Sequence, residues 1–498
     1  MKTLLVYPKY PLNFWSLKYS LQFTGEKVVF PPLGLLTVAA LLPKEWEKKL
    51  VDMNAEPLED RHLQWADYVF IGAMDIQQKS AIEVINRCNR LGVKVVAGGP
   101  FFTERYQEFE NVDHLVLGEA ETTLPAFLGD LENGTPQHVY MPDEFPDMEK
   151  VPAPLWEIAN MRYYSGMATQ FSRGCPFDCE FCQITRLFGH KVRTKNKEQI
   201  IGELDRIYTL GWRGEVIFVD DNFIGNKHKL KTEVLPAMIE WMEKKGYPFK
   251  FPTQLSINLA DDKELMRMMV RAGFDCVFIG IETVDDDCFV EAGKFQNRNR
   301  NLIANVKTMQ QHGLEVWAGI IVGFDHDKET IFDRLIKFIQ ESGITIAMVG
   351  ILRAHRGTKL YERLKKENRL ICDNTGDTVD STINFIPKMD RETLLRGHKK
   401  ILKGIYSPEP YYSRLVTFLK EFNPAETRRF NSIYYQKFDM RSLMKTIAKT
   451  IVILGILDKG RFYYWKLFFW SLFRQPRSFL HAMSLWVHGY HFRKVVGI

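Results

Sequence analysis

Short apolar runs alternate with stretches of helical periodicity over the first 140 positions. Lys2–Tyr7, Tyr68–Ala73, Val93–Ala97 and His114–Leu117 are continuous enough in apolar character to predict buried strands. Ser80–Leu91, between two of them, has the spacing of an amphipathic helix. Strand, helix, strand repeated in this way predicts a parallel sheet of the doubly wound type, because parallel strands need crossover connections. Met141–Pro154 breaks the rhythm with four prolines and several acids, which predicts a linker over the surface.

A second α/β series follows. Its candidate strands are Met167–Ser172, Glu215–Val219, Thr253–Ser256, Cys276–Ile281, Glu315–Ile321 and Ile346–Ile351. Helical patterns at Lys197–Leu210, Lys231–Lys245, Asp262–Ala272, Asn299–His312 and Lys328–Glu341 fill the gaps. Such a series over ~200 residues is what a (β/α) barrel, or part of one, needs. From 371 onward the βα rhythm is lost, and the chain becomes aromatic, basic and, by expectation, mostly helical. The reading is therefore an α/β chain in four segments: a doubly wound domain at 1–140, a linker at 141–166, a partial barrel at 167–370 and a helical accessory region at 371–498.

Composition changes this picture little. A chain of 498 residues exceeds one ordinary core, and 45% hydrophobic with 26% charged residues excludes a disordered polymer. Mean hydropathy is −0.22, and no run approaches the roughly 18 apolar residues of a membrane span. The N-terminus is basic and then apolar, but the run stops at Pro8 and Lys9, so it reads as a first strand and not a signal peptide. The expected location is the cytoplasm. A formal charge of +6 does not by itself imply nucleic acid.

The seven cysteines, Cys88, Cys175, Cys179, Cys182, Cys276, Cys288 and Cys372, are odd in number and three fall within eight residues. That pattern suits a reducing compartment and a metal site better than a disulfide framework. Arg173-Gly174-Cys175-Pro176-Phe177-Asp178-Cys179-Glu180-Phe181-Cys182 has the spacing CxxxCxxC, just after a predicted strand, where barrel enzymes place their chemistry. Three thiolates can hold three irons of a 4Fe–4S cube and leave one iron open. The competing reading is structural zinc with His190 as fourth ligand, although such sites favour a second ligand pair that this chain lacks. Cys276 lies in a predicted strand and is expected in the core.

CxxxCxxC with the aromatic Phe181 before the third cysteine resembles the signature of the radical S-adenosylmethionine superfamily, over roughly 167–370. The resemblance implies a 4Fe–4S cluster on Cys175, Cys179 and Cys182, chelation of its unique iron by S-adenosylmethionine, and a 5′-deoxyadenosyl radical that abstracts hydrogen from an unactivated carbon. It further implies that Asp220, Asp221 and Asn222 lie where the family holds the methionine amino group; a helix N-cap is the other reading of the same residues. Glu282 ends a predicted strand where the family often sets a carboxylate on the ribose hydroxyls. Gly319–Gly323, with Ile321, resembles the glycine-bearing strand that packs on adenine. The family's glutamate falls just beyond, where this chain departs from the pattern with Asp325 and His326.

Gly98-Gly99-Pro100 with Thr103, and Gly118-Glu119-Ala120-Glu121, follow predicted strands, where ligands bind in open α/β sheets. Glycines there let a bulky ligand approach the backbone. On these residues, and on its place before the barrel, the first domain resembles the cobalamin-binding domain of the cobalamin-dependent radical subclass. The DxHxxG signature is missing, and His62, His114 and His138 read as structural or surface residues. Many radical members lack that histidine too, so the resemblance still implies cobalamin. It implies transfer of a methyl group from methylcobalamin to an sp3 carbon, and a reduced flavodoxin- or ferredoxin-type electron donor.

Arg441–Ile498 holds ten Lys or Arg and one acid, Asp458, interleaved with aromatics such as Phe462–Trp470. Cations and aromatics at helical spacing suit a membrane interface, which predicts peripheral contact through 441–498 on the inner membrane face. A cap whose aromatics fill its own core is the plainer reading. Nucleic acid is not expected, since no base-reading module is recognisable. An accessory helical region after the barrel resembles hopanoid methylase-like lipid enzymes. The leading expectation is methylation of a hydrophobic or isoprenoid lipid. Radical carbon–carbon coupling or ring formation on a lipid, and an iron–sulfur redox or sensor protein, stand as alternatives.

Overall fold

A computed structural model describes residues 1–372, 376, 382–423 and 440–498. The first sheet contains β1 (Lys2–Tyr7), β2 (Glu47–Asp52), β3 (Tyr68–Gly72), β4 (Lys94–Gly98), β5 (His114–Val116) and β6 (Val139–Tyr140). All pair in parallel, in the order β2-β1-β3-β4-β5-β6. The order reverses at β1/β3, and ligands of doubly wound sheets gather beyond the carboxyl edge at such a point. Helix Gln78–Leu91 buries Ala81, Val84, Ile85 and Cys88, the stripe its periodicity predicts. β2 and β6 were not expected. β2 is an edge strand whose residues Glu-Lys-Lys-Leu-Val-Asp are half exposed, so no apolar run marks it, and β6 has only two residues.

The second sheet starts at β7 (Gly166–Thr169). Next come β8 (Ser172–Arg173) and β9 (Arg193–Thr194), a short antiparallel pair closing the base of the cysteine-bearing loop. β10 (Gly214–Phe218), β11 (Phe249–Leu255), β12 (Phe274–Glu282), β13 (Glu315–Val322) and β14 (Ile346–Ile351) complete a parallel sheet, β14-β13-β12-β11-β10-β7, in chain order. This is an open portion of a (β/α) barrel. β11 begins earlier than expected because Phe249 and Phe251 alternate with half-buried Lys250 and Pro252.

The stretch expected to run over the surface is instead partly buried. Its Met148 and Val151 pack inside, and just beyond it Trp156, fully buried, donates from Nε1 to the Ala168 carbonyl at 3.1 Å. Met148 and Val151, with the buried Pro146 and Pro154, decide where it lies.

The described part of the C-terminal region is helical: Arg391–Tyr406, Pro408–Glu421, Met440–Thr450 running into a wider π-turn at Ile451–Leu457, Arg461–Arg474 and Phe479–Val496. Of the region expected to be helical, 373–375, 377–381 and 424–439 lie outside the described residues. β14 would leave an open edge where a full barrel continues. The Tyr406 hydroxyl donates to the Ala347 carbonyl at 2.8 Å and accepts from its N–H at 3.1 Å, and His398 Nε2 lies 2.9 Å from the Val349 carbonyl. Helix Arg391–Tyr406 thus stands in for a neighbouring strand.

Candidate active site

The cysteine loop is pinned from beneath. Asp220, just past β10 and fully buried, accepts from the Phe171 N–H at 3.0 Å, the Ser172 N–H at 2.5 Å and the Ser172 hydroxyl at 2.6 Å. Burial pushes its carboxyl up to about 7 against the pull of these donors. Asp221 accepts from the Gly174 N–H at 3.0 Å, and burial raises it to about 6. Gly174 has φ +91°, and a Cβ there would sit 2.8 Å from the Lys191 carbonyl oxygen, so only glycine makes this turn. Asn222 caps nothing through its side chain; its Oδ1 accepts from the Ser256 N–H at 3.2 Å and ties β10 to β11. The three residues after β10 therefore build the platform of the loop.

On that platform Cys175, Cys179 and Cys182 are free, half-buried thiols. Burial pushes all three up, Cys182 to about 12, while Lys294 pulls them down. Their chemistry fits an iron–sulfur cube, which spreads three thiolates over three irons. The zinc reading loses its fourth ligand: His190 is exposed and faces Asp178, with Nε2 3.9 Å from Oδ1. Among the described residues no group of three or more His, Cys, Asp or Glu could hold one metal ion.

Beside the cysteines stands a buried pair of which the sequence pointed only to Glu282. Lys294 Nζ donates to Glu282 Oε1 at 2.7 Å and lies 6.0 Å from the Phe181 ring centroid. Glu282 has φ +64° at a bulge in β12. A Cβ on Gly280 would sit 2.2 Å from Glu282 Oε1 and 2.7 Å from Lys294 Nζ, so that glycine makes room for the pair. Ile321 sits half buried on the inner face of β13, opposite Gly350 of β14. Asp325 is not free: Arg369 and Arg363 donate to it at 2.6 and 2.8 Å. Burial would raise Asp325, but these guanidiniums hold it at about 2. His326 pairs with Glu291 at 2.8 Å.

The carboxyl edge of the first sheet faces this loop. A Cβ on Gly98 would meet the Val116 carbonyl oxygen at 2.5 Å, and one on Gly118, at φ +67°, would meet Pro142 Cγ at 2.6 Å. Gly99 has φ +92° beside the Ala73 backbone. Thr103 Oγ1 donates to the Gly99 carbonyl at 2.9 Å and accepts from the Gly118 N–H at 3.0 Å, knotting the two turns together. The close packing of the turns on each other accounts for these glycines. Glu119 leaves the turn to pair with Arg173 and Arg193, and Glu121 pairs with Arg173 at 2.8 Å. Glu104 accepts from Gln183, the residue after Cys182, at 2.8 Å, and burial followed by the charge of Asp75 raises it to about 7. A group held at the first edge would lie against a group held by the cysteines. The histidines of the first domain are engaged elsewhere, His62 with the Glu59 N–H and His114 and His138 with backbone carbonyls.

Cys276, expected in the core, lies half-buried on the inner face of β12, where burial pushes its thiol well up. The remaining inner-facing side chains of β12–β14 include Phe278, Trp317, Ile321 and Met348. The opposite faces of β12 and β13, with Val277, Ile279, Val316 and Ala318, are sealed under the helices. Trp15 packs on Phe278 with centroids 5.0 Å apart, and His488 packs on Trp317 at 5.8 Å.

Residues 27–128 match the B12 binding domain, 169–339 the Radical SAM superfamily, and 358–498 a domain of unknown function. The chain is 40% identical over 496 residues to an uncharacterized methyltransferase of Synechocystis sp., covering 99% of this chain and 91% of that protein. It is 31% identical over 475 residues to hopanoid C-2 methylase of Rhodopseudomonas palustris, covering 93% of this chain and 88% of that protein. In fold it resembles the cobalamin-dependent S-adenosylmethionine radical enzyme OxsB with aqua-cobalamin and S-adenosylmethionine bound, at a TM-score of 0.62 and 16% identity, over 100% of this chain and 80% of that one. It likewise resembles the radical S-adenosylmethionine methyltransferase TsrM from Kitasatospora setae, at 0.58 and 13% identity, over 86% and 92% of the two chains.

Proposed function

The chain belongs to the cobalamin-dependent radical S-adenosylmethionine methyltransferases, and from that premise we propose that it methylates an unactivated sp3 carbon of a hydrophobic, isoprenoid-type lipid. Membership makes it an enzyme and sets aside an iron–sulfur sensor. It uses a 4Fe–4S cluster, S-adenosylmethionine and cobalamin. When bound, these supply one-electron hydrogen abstraction and a transferable methyl group.

The protein's part is to hold and to exclude. Cys175, Cys179 and Cys182 would hold the cluster, and Asp220 and Asp221 fix their loop. In this reading Glu282, Lys294 and Ile321 lie where S-adenosylmethionine would bind, and Gly98, Gly99, Thr103, Gly118 and Glu119 shape the edge that would take the corrinoid. The observation that carries the lipid reading is the inner face of the barrel. Ile217, Pro252, Cys276, Phe278, Trp317, Ile321 and Met348 line it, with Gln254 as a polar interruption and Glu215 and Lys250 at the amino ends of their strands. Such a wall desolvates a substrate without polar handles and keeps water from a reactive carbon. A reduced flavodoxin- or ferredoxin-type protein is the proposed electron donor. The proposed location is the cytoplasm, at the inner membrane face; no helix of the described residues is long and apolar enough to cross a membrane.

The test compares lipid extracts, by mass spectrometry, from cells making the wild type and cells making Cys175→Ala. A lipid heavier by one methylene only with the wild type is the expected result. Loss of hydrogen without added carbon would favour coupling or ring closure. No lipid difference, with a loaded cluster, would overturn the assignment.

A further inference from the structure

The C-terminal helices divide their aromatic and apolar residues between two destinations. Tyr464, Leu467, Trp486 and Phe492 are buried among the C-terminal helices, Trp486 on Tyr411 and Phe492 on Tyr406, as a cap that fills its own core requires. A second set points outward. Met444, Ile447, Val452 and Ile456 recur at helical spacing along Met440–Leu457 and are all exposed. Phe462, Phe469 and Phe473 form a stripe on Arg461–Arg474, with Phe462 68% and Phe473 76% exposed. The two helices are joined where Trp465 Nε1 donates to the Gly455 carbonyl at 3.0 Å, and Trp465 stacks on Phe469. The stripes therefore belong to one rigid unit.

Charge says what covers it. Between 441 and 480 the chain carries eight cations, among them Arg441, Lys445, Lys449, Arg461, Lys466 and Arg474, and every one is exposed. The sole acid there, Asp458, is spent on Arg493 at 3.1 Å. Two copies meeting through this face would oppose mostly cations to cations, with Glu409, beside Tyr463, as a neighbouring acid, and that imbalance costs affinity. An anionic bilayer offers both halves of the complement: acyl chains for the phenylalanines and phosphates for the cations.

We propose that the joined helices 440–457 and 461–474 are an interfacial anchor that seats the enzyme on anionic phospholipid bilayers, with Phe462, Phe469 and Phe473 inserted at acyl-chain depth. Helix Arg461–Arg474 packs on Phe479–Val496, whose His488 touches the barrel's inner wall, so the anchor adjoins the lumen. The inference rests on the lipid-substrate reading for its purpose, but its test is binding, so the two can fail separately.

The experiment is co-sedimentation of the full-length, cofactor-loaded protein with vesicles of phosphatidylcholine alone or mixed with phosphatidylglycerol. The wild type is expected to sediment with the mixed vesicles and to be partly released by salt. Phe462→Ser/Phe469→Ser/Phe473→Ser should lower partitioning about tenfold or more, with unchanged circular dichroism and cluster absorption. Lys445→Glu/Lys459→Glu, both at exposed positions, should weaken binding to mixed vesicles and spare the weak binding to phosphatidylcholine. Equal sedimentation of wild type and both variants would overturn the proposal. So would a wild type that stays in the supernatant, or a dimer on gel filtration that the triple variant dissociates.

Discussion

Glu119, just past β5, and Arg173, in β8 at the base of the cysteine loop, meet through a carboxylate–guanidinium contact of 2.5 Å, and the same carboxylate holds Arg193 at 2.6 Å. Arg173 opens the cysteine motif, while Glu119 follows the strand that ends at the first domain's carboxyl edge. The contact therefore fixes the first domain's carboxyl edge against the cysteine loop, the two places proposed above to take the cofactors. Charge-assisted pairs shielded from water are the strong ones, and removing one member strands the others.

Glu119→Gln should cost on the order of 3 kcal/mol of stability, since two nearly buried guanidiniums lose their shared anion. It should also uncouple the chemistry. S-adenosylmethionine cleavage to 5′-deoxyadenosine should persist, while methylated product falls about tenfold or more, because misplacement between reacting centres is expensive. Both products are quantified in one assay. A parallel loss of both would reduce the clamp to a structural role.

Alanine at Cys175, Cys179 or Cys182 should erase the visible absorption and the reduced-state paramagnetic signal of the cluster, and activity with them. Cys88→Ala is the control. That thiol is fully buried on helix Gln78–Leu91, and its loss should cost about 1 kcal/mol of stability while leaving the cluster signal intact.

Glu315 lies at the start of β13 and is bonded by His481 at 2.6 Å, Thr345 at 2.7 Å and the Trp317 indole at 2.5 Å. Burial pushes its carboxyl up, but the His481 charge and these donors overcome it and hold it at about 2, against an ordinary 4.5. A depressed folded-state value means the stabilisation is present above pH 4.5 and lost as pH falls toward 2. Glu315→Gln should flatten stability over that window and forfeit on the order of 3 kcal/mol at neutral pH. Urea unfolding followed by tryptophan fluorescence at stepped pH reads this directly. A variant with the wild-type acid slope would refute the assignment.

Gly350 of β14 has nothing within 4 Å of where its Cβ would stand, on the same face as Ile321. Gly350→Leu should project into the lumen and reduce turnover of a long apolar substrate about tenfold, with little change in stability or cluster content. Unchanged turnover would mean the substrate occupies another part of the barrel.

The chemistry was more legible in the sequence than its supports. Three cysteines on one loop announce themselves because spacing alone can gather them, and both parallel sheets follow from apolar runs separated by amphipathic helices. Strand β2 was hidden because an edge strand needs no apolar alternation. Lys294 carries no local signal, since only the fold brings it to Glu282. Asp220 and Asn222 were found by position, but their loads, the Ser172 and Ser256 groups, are set by neighbouring strands that a one-dimensional pattern does not place. Gly98 and Gly118 were read as room for a ligand, while carbonyl and proline contacts supply a nearer reason. The phenylalanines of 461–474 could not be sorted into inward and outward sets until the helix was seen against its neighbours.

His491, on helix Phe479–Val496, reaches across the molecule so that Nε2 lies 3.2 Å from the Asn13 carbonyl and Nδ1 accepts from the Tyr19 N–H at 3.3 Å. These contacts span more than 470 positions, so they form last during synthesis, after both sheets have emerged and begun to fold. Until then the turn at Phe14–Ser16 has no helix to lock it against the barrel mouth. In the growing chain this early turn thus waits for a partner made more than 470 residues later.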